Sequence, residues 1–281
     1  MLFPTATTIK KLNIRPIKKR GQNFLIDKNI ASAVVEHAEI TPSDTVLEIG
    51  TGLGALTYFL AEKDVSIFSV EIDRELFQCV RDSVPPDSRL SLINEDILRV
   101  QFSSVGKCNK NIIVVGSIPY TITSPIILKL LREASCIKHA VLVIQKEVAQ
   151  RLCSGPGTRD YGILSVYCRA YAETSLYRFI PSGCFYPKPK VESAIIKLVP
   201  QESRRWDDPE EAFFRTIVKT SFSRRRKTLL NCLKGLLNQN NINVDQLKNE
   251  LADDNIDLGR RSETLSIEEF DRLTAHIKKY L

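Results

Sequence analysis

The chain has 281 residues, 43% of them apolar and 26% charged, with a formal net charge of +7. At about 150 residues per domain that is room for two domains, each able to bury a core without disulfide or metal staples. The composition excludes a disordered, collagen-like or coiled-coil chain, and no apolar run approaches the ~20 residues a membrane span needs.

The charge is unevenly placed. Lys10, Lys11, Arg15, Lys18, Lys19 and Arg20 precede the first acid of the chain, and Arg215, Lys219, Arg224, Arg225, Arg226 and Lys227 fall in another acid-free stretch. Without these two blocks the remainder is mildly acidic. Concentrated positive charge on an acidic body points to a polyanion, and nucleic acid is the commonest one. Cys79, Cys108, Cys136, Cys153, Cys168, Cys184 and Cys232 are odd in number and contain no C-x-x-C pair. Neither a zinc site nor a disulfide framework is expected, and reduced thiols in the cytoplasm are the simplest account. His37, His139 and His276 are isolated from one another and carry no metal or catalytic expectation. The N-terminus has no apolar signal core. Its basic, Thr-bearing texture fits a transit peptide less well than a functional segment, because a motif begins at Gly21.

In chain order, Thr45–Ile49 reads as a buried parallel strand ending in glycines, and 55–61 as a helix. Residues 66–72 form the next strand, and 74 to about 84 a helix stopped by Pro85-Pro86. Residues 90–93 and 112–115 are two further strands. Ser124-Pro125 looks like a capping hydroxyl before a first-turn proline, opening a helix to about residue 134, and 141–144 is another strand. Repeated strand–helix units imply a mostly parallel, doubly wound sheet, an α/β fold. After Pro200 helical periodicity takes over: Phe213, Phe214, Ile217 and Val218 share a face, and Asn243…Gln246 and Ser266…Glu269 resemble capping boxes. The expected division is 1–203, with a mobile basic arm at 1–20, and a small all-helical domain at 204–281.

Glu48-Ile-Gly50-Thr-Gly52-Leu-Gly54 follows the first buried strand and opens a helix. Glycines there permit a tight turn and a close approach of backbone to ligand. With Ala55 the loop also fits G-x-G-x-x-A, so a dinucleotide site stays open. Glu71 ends the second strand, where a carboxylate can accept both hydroxyls of a ribose. Asp96 ends the third, placed to accept from an adenine amino group or to cap a helix.

Ser117-Ile118-Pro119-Tyr120 follows the strand at 112–115 and resembles the N-[LI]-P-Y motif of amino-directed adenine methyltransferases, with Ser in place of Asn. The segments at Gly21–Leu25, Ser124–Ile126, Gln145–Ala149, Tyr161–Val166, Phe185–Ser193, Phe222–Lys227 and Arg261–Leu265 resemble, in order, the motifs of one family. That family is the KsgA-type ribosomal RNA adenine dimethyltransferases. The resemblance spans about residues 21–273. It implies a class I S-adenosylmethionine-dependent methyltransferase, Rossmann-like, with a helical C-terminal domain. It also implies an enzyme that dimethylates N6 of two adjacent adenosines near the 3′ end of small-subunit ribosomal RNA, within an immature subunit.

Carried onto this chain, the resemblance assigns the cofactor to Gln22, Asn23, Leu25, Gly50, Gly52, Glu71, Ile72, Asp96, Ile97 and Ser117. Ser117 and Pro119 would face the target amine, and Tyr120 and Phe185 would sandwich the adenine. Arg224, Arg225, Arg226 and Lys227, fanning from a helix start, would hold RNA phosphates. The N6 lone pair is delocalised into the ring, so acceptors on its hydrogens and an aromatic face beside it favour attack on a methyl group. No metal, membrane or second subunit is called for. Competing readings are an erythromycin-resistance-type methylase acting on large-subunit RNA, a non-catalytic RNA-binding assembly factor, and an NAD-dependent dehydrogenase.

Overall fold

The computed structural model describes residues 2–85, 89–105 and 110–281; Pro86 and Cys108, singled out above, lie outside the described residues. The elements in chain order are α1 (Ala6–Lys11), β1 (Phe24–Leu25), α2 (Lys28–His37), β2 (Thr45–Ile49), α3 (Ala55–Leu60), β3 (Ser66–Val70) and α4 (Arg74–Arg81). They continue as β4 (Leu90–Ile93), β5 (Ile112–Ser117), α5 (Thr123–Arg132), β6 (Ile137–Gln145), α6 (Lys146–Cys153), α7 (Ile163–Tyr171), β7 (Ala172–Ile180), β8 (Phe185–Tyr186) and β9 (Ser193–Pro200). The last four are α8 (Pro209–Ser221), α9 (Leu229–Gln239), α10 (Val244–Ala252) and α11 (Ile267–Lys278).

The chain divides into two compact units, Met1–Ala149 with Glu173–Gln201, and Gln150–Ala172 with Glu202–Leu281. The second unit therefore recruits α7 from the middle of the chain, where a single cut at 203/204 was expected. The reason is two contacts to later chain: Tyr171 donates its hydroxyl to Glu211 of α8 and Tyr167 donates to the Arg215 carbonyl.

The first unit holds a seven-stranded sheet in the order β4-β3-β2-β5-β6-β9-β7. β4, β3, β2, β5 and β6 are parallel neighbours, and β9 runs antiparallel to β6. Val46, Ile113, Val115, Val141, Val143 and Ile195 pack against Ile30, Val34, Leu56 and Leu60 of α2 and α3. Their strand alternates Leu47, Val114, Leu142 and Ile196 are equally buried on the other face. A sheet covered on both faces reads as continuous apolar runs, which is why the central strands were visible in the sequence. The chain winds from β2 outward to β4, then returns to β5 on the other side of β2. The carboxyl ends of β2 and β5 part at that switch point and leave a crevice.

Several local expectations are corrected. α5 begins at Thr123 behind a one-turn helix at Tyr120–Ile122, so Ser124 lies inside the helix and caps nothing. The helix starts early because Ile122 N already donates to the Pro119 carbonyl, 3.1 Å away. The arm is not a mobile tail. Ile9 of α1 is fully buried beside Phe24, Leu53 and Leu76, and Arg20 pairs with Asp73 at 2.6 Å. Cys136 is disulfide-bonded, against the expectation of thiols throughout, whereas Cys79, Cys153, Cys168, Cys184 and Cys232 are in no disulfide.

In the second unit Ser266 and Glu269 form the reciprocal capping box expected of them. Asn243 caps α10 alone, because the Gln246 amide donates to Glu250 rather than back to the cap. Arg224–Lys227 occupy the exposed turn between α8 and α9, whose cap is Thr228. Arg225 is held there by Glu263 at 3.0 Å and donates to the Arg159 carbonyl.

Under the glycine loop lies a fully buried polar knot. Glu48 of β2 accepts from the Thr57 hydroxyl of α3 (2.8 Å) and the Ser69 hydroxyl of β3 (2.6 Å). Ser69 Oγ in turn lies 2.5 Å from Thr51 Oγ1 in the loop itself. Two hydroxyl donors do not repay the loss of water, and burial pushes the Glu48 carboxyl up to about 7. Between the unfolded value of 4.5 and about 7 the folded chain holds a proton that the unfolded chain has released, so stability falls as pH rises through that window. Glu48→Gln removes this titration and keeps a hydrogen-bonding side chain. Relative to the parent, the variant gains roughly 3 kcal/mol between pH 4.5 and 7.5. Urea unfolding at a series of pH values checks it; parallel profiles for the two proteins would refute the assignment.

Candidate functional site

The crevice is a cavity of about 280 Å³ at the carboxyl ends of β2, β3, β4 and β5. Every residue expected to hold the cofactor or face the target base lines it: Gln22, Asn23, Leu25, Gly50, Gly52, Glu71, Ile72, Asp96, Ile97, Ser117, Pro119, Tyr120 and Phe185. The basic residues Arg224–Lys227 belong to the other unit and do not contribute to this wall.

The floor is the loop after β2. Gly50, Gly52 and Gly54 all take left-handed φ values, +75°, +55° and +82°, which side chains with a Cβ rarely adopt. The loop thereby turns its backbone toward the cavity and delivers Gly54 as the cap of α3. Gly116, opposite Ile49, serves the same corner: a Cβ there would lie 2.8 Å from the Ile49 carbonyl.

Glu71 follows β3 and is almost wholly buried. Its Oε2 accepts from Gly52 N and its Oε1 from Asp73 N, both at 2.8 Å. Each oxygen keeps a further lone pair for a ligand hydroxyl. Burial raises the Glu71 carboxyl above its ordinary range, opposed by those two N–H donors. Asp96, after β4, accepts from Leu98 N through Oδ1 at 2.9 Å and leaves Oδ2 for another donor. No helix follows Asp96 directly, so the helix cap considered for it is replaced by a turn closed on its Oδ1, and its Oδ2 is left for a ligand donor. Ile72 and Leu98, 51% and 38% exposed, give this end of the cavity apolar walls suited to a flat heterocycle.

The remaining wall comes from the N-terminal segment. β1 pairs with β8, setting Leu25 opposite Phe185 and bringing both to the cavity. The Gln22 amide is spent on structure: its Nε2 donates to Asp73 (3.0 Å) and its Oε1 accepts from Ile17 N (2.7 Å). Asn23 donates to the Gly21 carbonyl at 3.1 Å. Arg20, Asp73 and Leu98 were not recognised in the sequence as parts of the site. Asp73 carried a legible signal, an acid one residue before an amphipathic helix, and it does cap α4 through Oδ1.

At the end of β5 the ladder to β6 closes with Ile118 N donating to the Val143 carbonyl at 2.9 Å. Pro119 has no N–H to continue it, and the chain turns. The Pro119 carbonyl accepts from Ile122 N and Thr123 Oγ1, so it is consumed by the turn. Among the described residues no donor reaches the Ile118 carbonyl or Ser117 Oγ. The Tyr120 hydroxyl lies 2.7 Å from Ser193 Oγ, which fixes the ring, and burial raises its pKa. The arrangement offers no ionised base beside the tetrapeptide; it offers neutral acceptors and aromatic surface. Among the described residues no group of three or more His, Cys, Asp or Glu side chains is placed to hold a metal ion, and no helix is long and apolar enough to cross a membrane.

Known proteins resemble the chain over nearly its whole length. The chain is 37% identical over 275 residues to the ribosomal RNA small subunit methyltransferase A of Clostridium acetobutylicum, covering 98% of each chain. It is 38% identical to that of Bacillus pumilus, covering 99% of this chain and 96% of the relative. A dimethyladenosine transferase from Plasmodium falciparum superposes with a TM-score of 0.72 at 26% identity, covering 90% of this chain and 97% of the other. The 23S rRNA methyltransferase ErmE does so with a TM-score of 0.68 at 26% identity, covering 91% and 100%. The sequence profile described as ribosomal RNA adenine dimethylase matches residues 14–274, and the chain belongs to that family.

Proposed function

We propose that the chain is an S-adenosylmethionine-dependent enzyme that places two methyl groups on N6 of each of two adjacent adenosines near the 3′ end of small-subunit ribosomal RNA. On this reading it acts as a monomer in the cytoplasm on an immature small subunit. The observation that carries it is the convergence of the glycine loop, Glu71, Asp96 and the Ser117–Tyr120 turn on one cavity. Small-subunit RNA is preferred over the large-subunit substrate named for ErmE because relatives at 37–39% identity over nearly the whole chain are named for the small subunit.

The residues present fit the cofactor. Glu71 has acceptor capacity left for two ribose hydroxyls, Asp96 Oδ2 suits an adenine amino group between Ile72 and Leu98, and the glycine loop lets backbone approach the methionine end. Gln22 would contribute through its backbone and through bracing the wall, since its amide is engaged. When bound, the cofactor supplies an electrophilic sulfonium methyl. This chain then has to present N6 with its lone pair freed from the ring. Ser117 Oγ and the Ile118 carbonyl would accept the two N6 hydrogens, which favours a tetrahedral nitrogen. The backbone acceptor is thus one residue earlier than Pro119, whose role is to end the ladder and expose it. Tyr120 and Phe185 would hold the extruded base and stabilise the positive charge that develops on it.

Ser117 stands where the family motif has Asn, with a shorter reach and a hydroxyl that both donates and accepts. Ser117→Asn is expected to transfer methyl groups at least as fast as the parent in single turnover, and Ser117→Ala to be slower by on the order of a hundredfold. Loss of activity in the Asn variant would overturn this account of the turn.

Arg224, Arg226 and Lys227 are exposed, whereas Arg225 is committed to Glu263. They would contact phosphates, which position RNA without reading its sequence. Arg224→Glu combined with Arg226→Glu is expected to weaken binding to small-subunit RNA and to lower the slope of log affinity against log salt by about 2. Titrations at several salt concentrations decide it, and an unchanged slope removes these residues from the interface.

A further inference from the structure

A line of contacts leads from the pocket to an exposed aromatic side chain. Tyr120, in the wall, is fixed by Ser193 at 2.7 Å. Ser193 opens β9 and lies opposite Gln145, the last residue of β6. One residue further out on each strand, Lys146 N donates to the Glu192 carbonyl (3.0 Å), and Lys146 Nζ reaches Glu192 Oε2 (2.7 Å). The same ammonium stands 4.7 Å from the centre of the Phe179 ring on β7, the last strand of the sheet. Phe179 is 42% exposed, and Val191, beside Glu192, is 45% exposed. Arg178, Lys188 and Lys190 are exposed in the flanking chain; the acids there are Glu192 and Glu147.

We propose that Phe179, Lys146, Val191, Lys188 and Lys190 form a platform for the unpaired nucleotide adjoining the adenosine held in the pocket, the base stacking on Phe179 and its phosphate taking the Lys146 ammonium from Glu192. The proposal rests on the adenosine-modifying reading above and extends its substrate contacts beyond the cavity. An open Phe ring with cations around it matches what an unstacked, charged strand needs: a π-face for any base and neutralisation of its backbone. Continuity with Tyr120 places the platform at the rim, where the strand carrying an extruded base must leave. A second copy of the chain is a poor occupant, because a two-fold contact would set these lysines against themselves.

The test uses the full chain and a fluorescein-labelled RNA hairpin with unpaired adenosines in its loop, followed by anisotropy. Phe179→Ala is expected to raise the Kd about tenfold, with Phe179→Trp at or below the parent value. Lys146→Ala weakens binding and lowers the salt slope by about 1, whereas Glu192→Gln tightens it. Calorimetry with S-adenosylmethionine should give the same affinity for all four variants as for the parent. The platform is refuted if Phe179→Ala binds the hairpin within about twofold of the parent, or if sedimentation shows a dimer that Phe179→Ala dissolves. If the parent transfers no methyl group yet Phe179→Ala still loses RNA affinity, the platform stands and the proposed reaction falls.

Discussion

The pocket depends on what a single carboxylate does at the end of β3. Glu71 accepts Gly52 N with one oxygen and Asp73 N with the other, so it ties the glycine loop of one strand to the helix corner of the next. Asp73 then carries the tie onward to Arg20 and Gln22 of the N-terminal segment. Three pieces of chain far apart in sequence are thus held by one acid and its neighbour. The cost is visible in the raised pKa of Glu71, because the charge has been taken out of water. Two more donors from a ribose would lower that cost, so ligand binding and the settling of this corner favour each other.

The same economy applies at β5. Proline is usually read as a breaker, yet here its effect is to finish a ladder at a chosen carbonyl. Ile118 N is satisfied by Val143, Pro119 cannot donate, and the Pro119 carbonyl is used by the following turn. On the proposed reading, what remains for a substrate is the Ile118 carbonyl and the Ser117 hydroxyl. Neither is charged, which suits a reaction whose nucleophile is a neutral amine and whose positive charge grows as the bond forms. An ionised base at that position would hold a proton more tightly than the chemistry requires before transfer.

Much of this was readable because the relevant signals are local. The buried strands are apolar runs between turn residues, and the acids that end them sit where α/β crevices always lie. Ser266 and Glu269 announced their helix in four residues. What the sequence concealed was decided by distant partners. α1 is short and basic, and only the burial of Ile9 against Leu53 and Leu76 shows that it is part of the first unit. Nothing local distinguishes Ser124 as an interior residue from Ser124 as a cap; the bond from Ile122 N to Pro119 decides it. α7 belongs with helices that come much later because its tyrosines find Glu211 and Arg215. β7 was missed as a strand because polar and charged residues interrupt it at the sheet edge.

Charge counting shows the same limit from another side. The sequence offers two basic blocks as one undifferentiated attraction for a polyanion. In the fold, Arg20 neutralises Asp73 beside the cavity and Arg225 is spent on Glu263, so neither has its charge free for a phosphate. Lys146, which belongs to neither block, stands instead on Phe179. The electrostatic footprint of such a protein is therefore set less by how many cations it has than by which ones its own acids leave available. Arg224, Arg226 and Lys227 remain exposed after that accounting, and Lys146 is held by a single, half-exposed glutamate that a phosphate can displace.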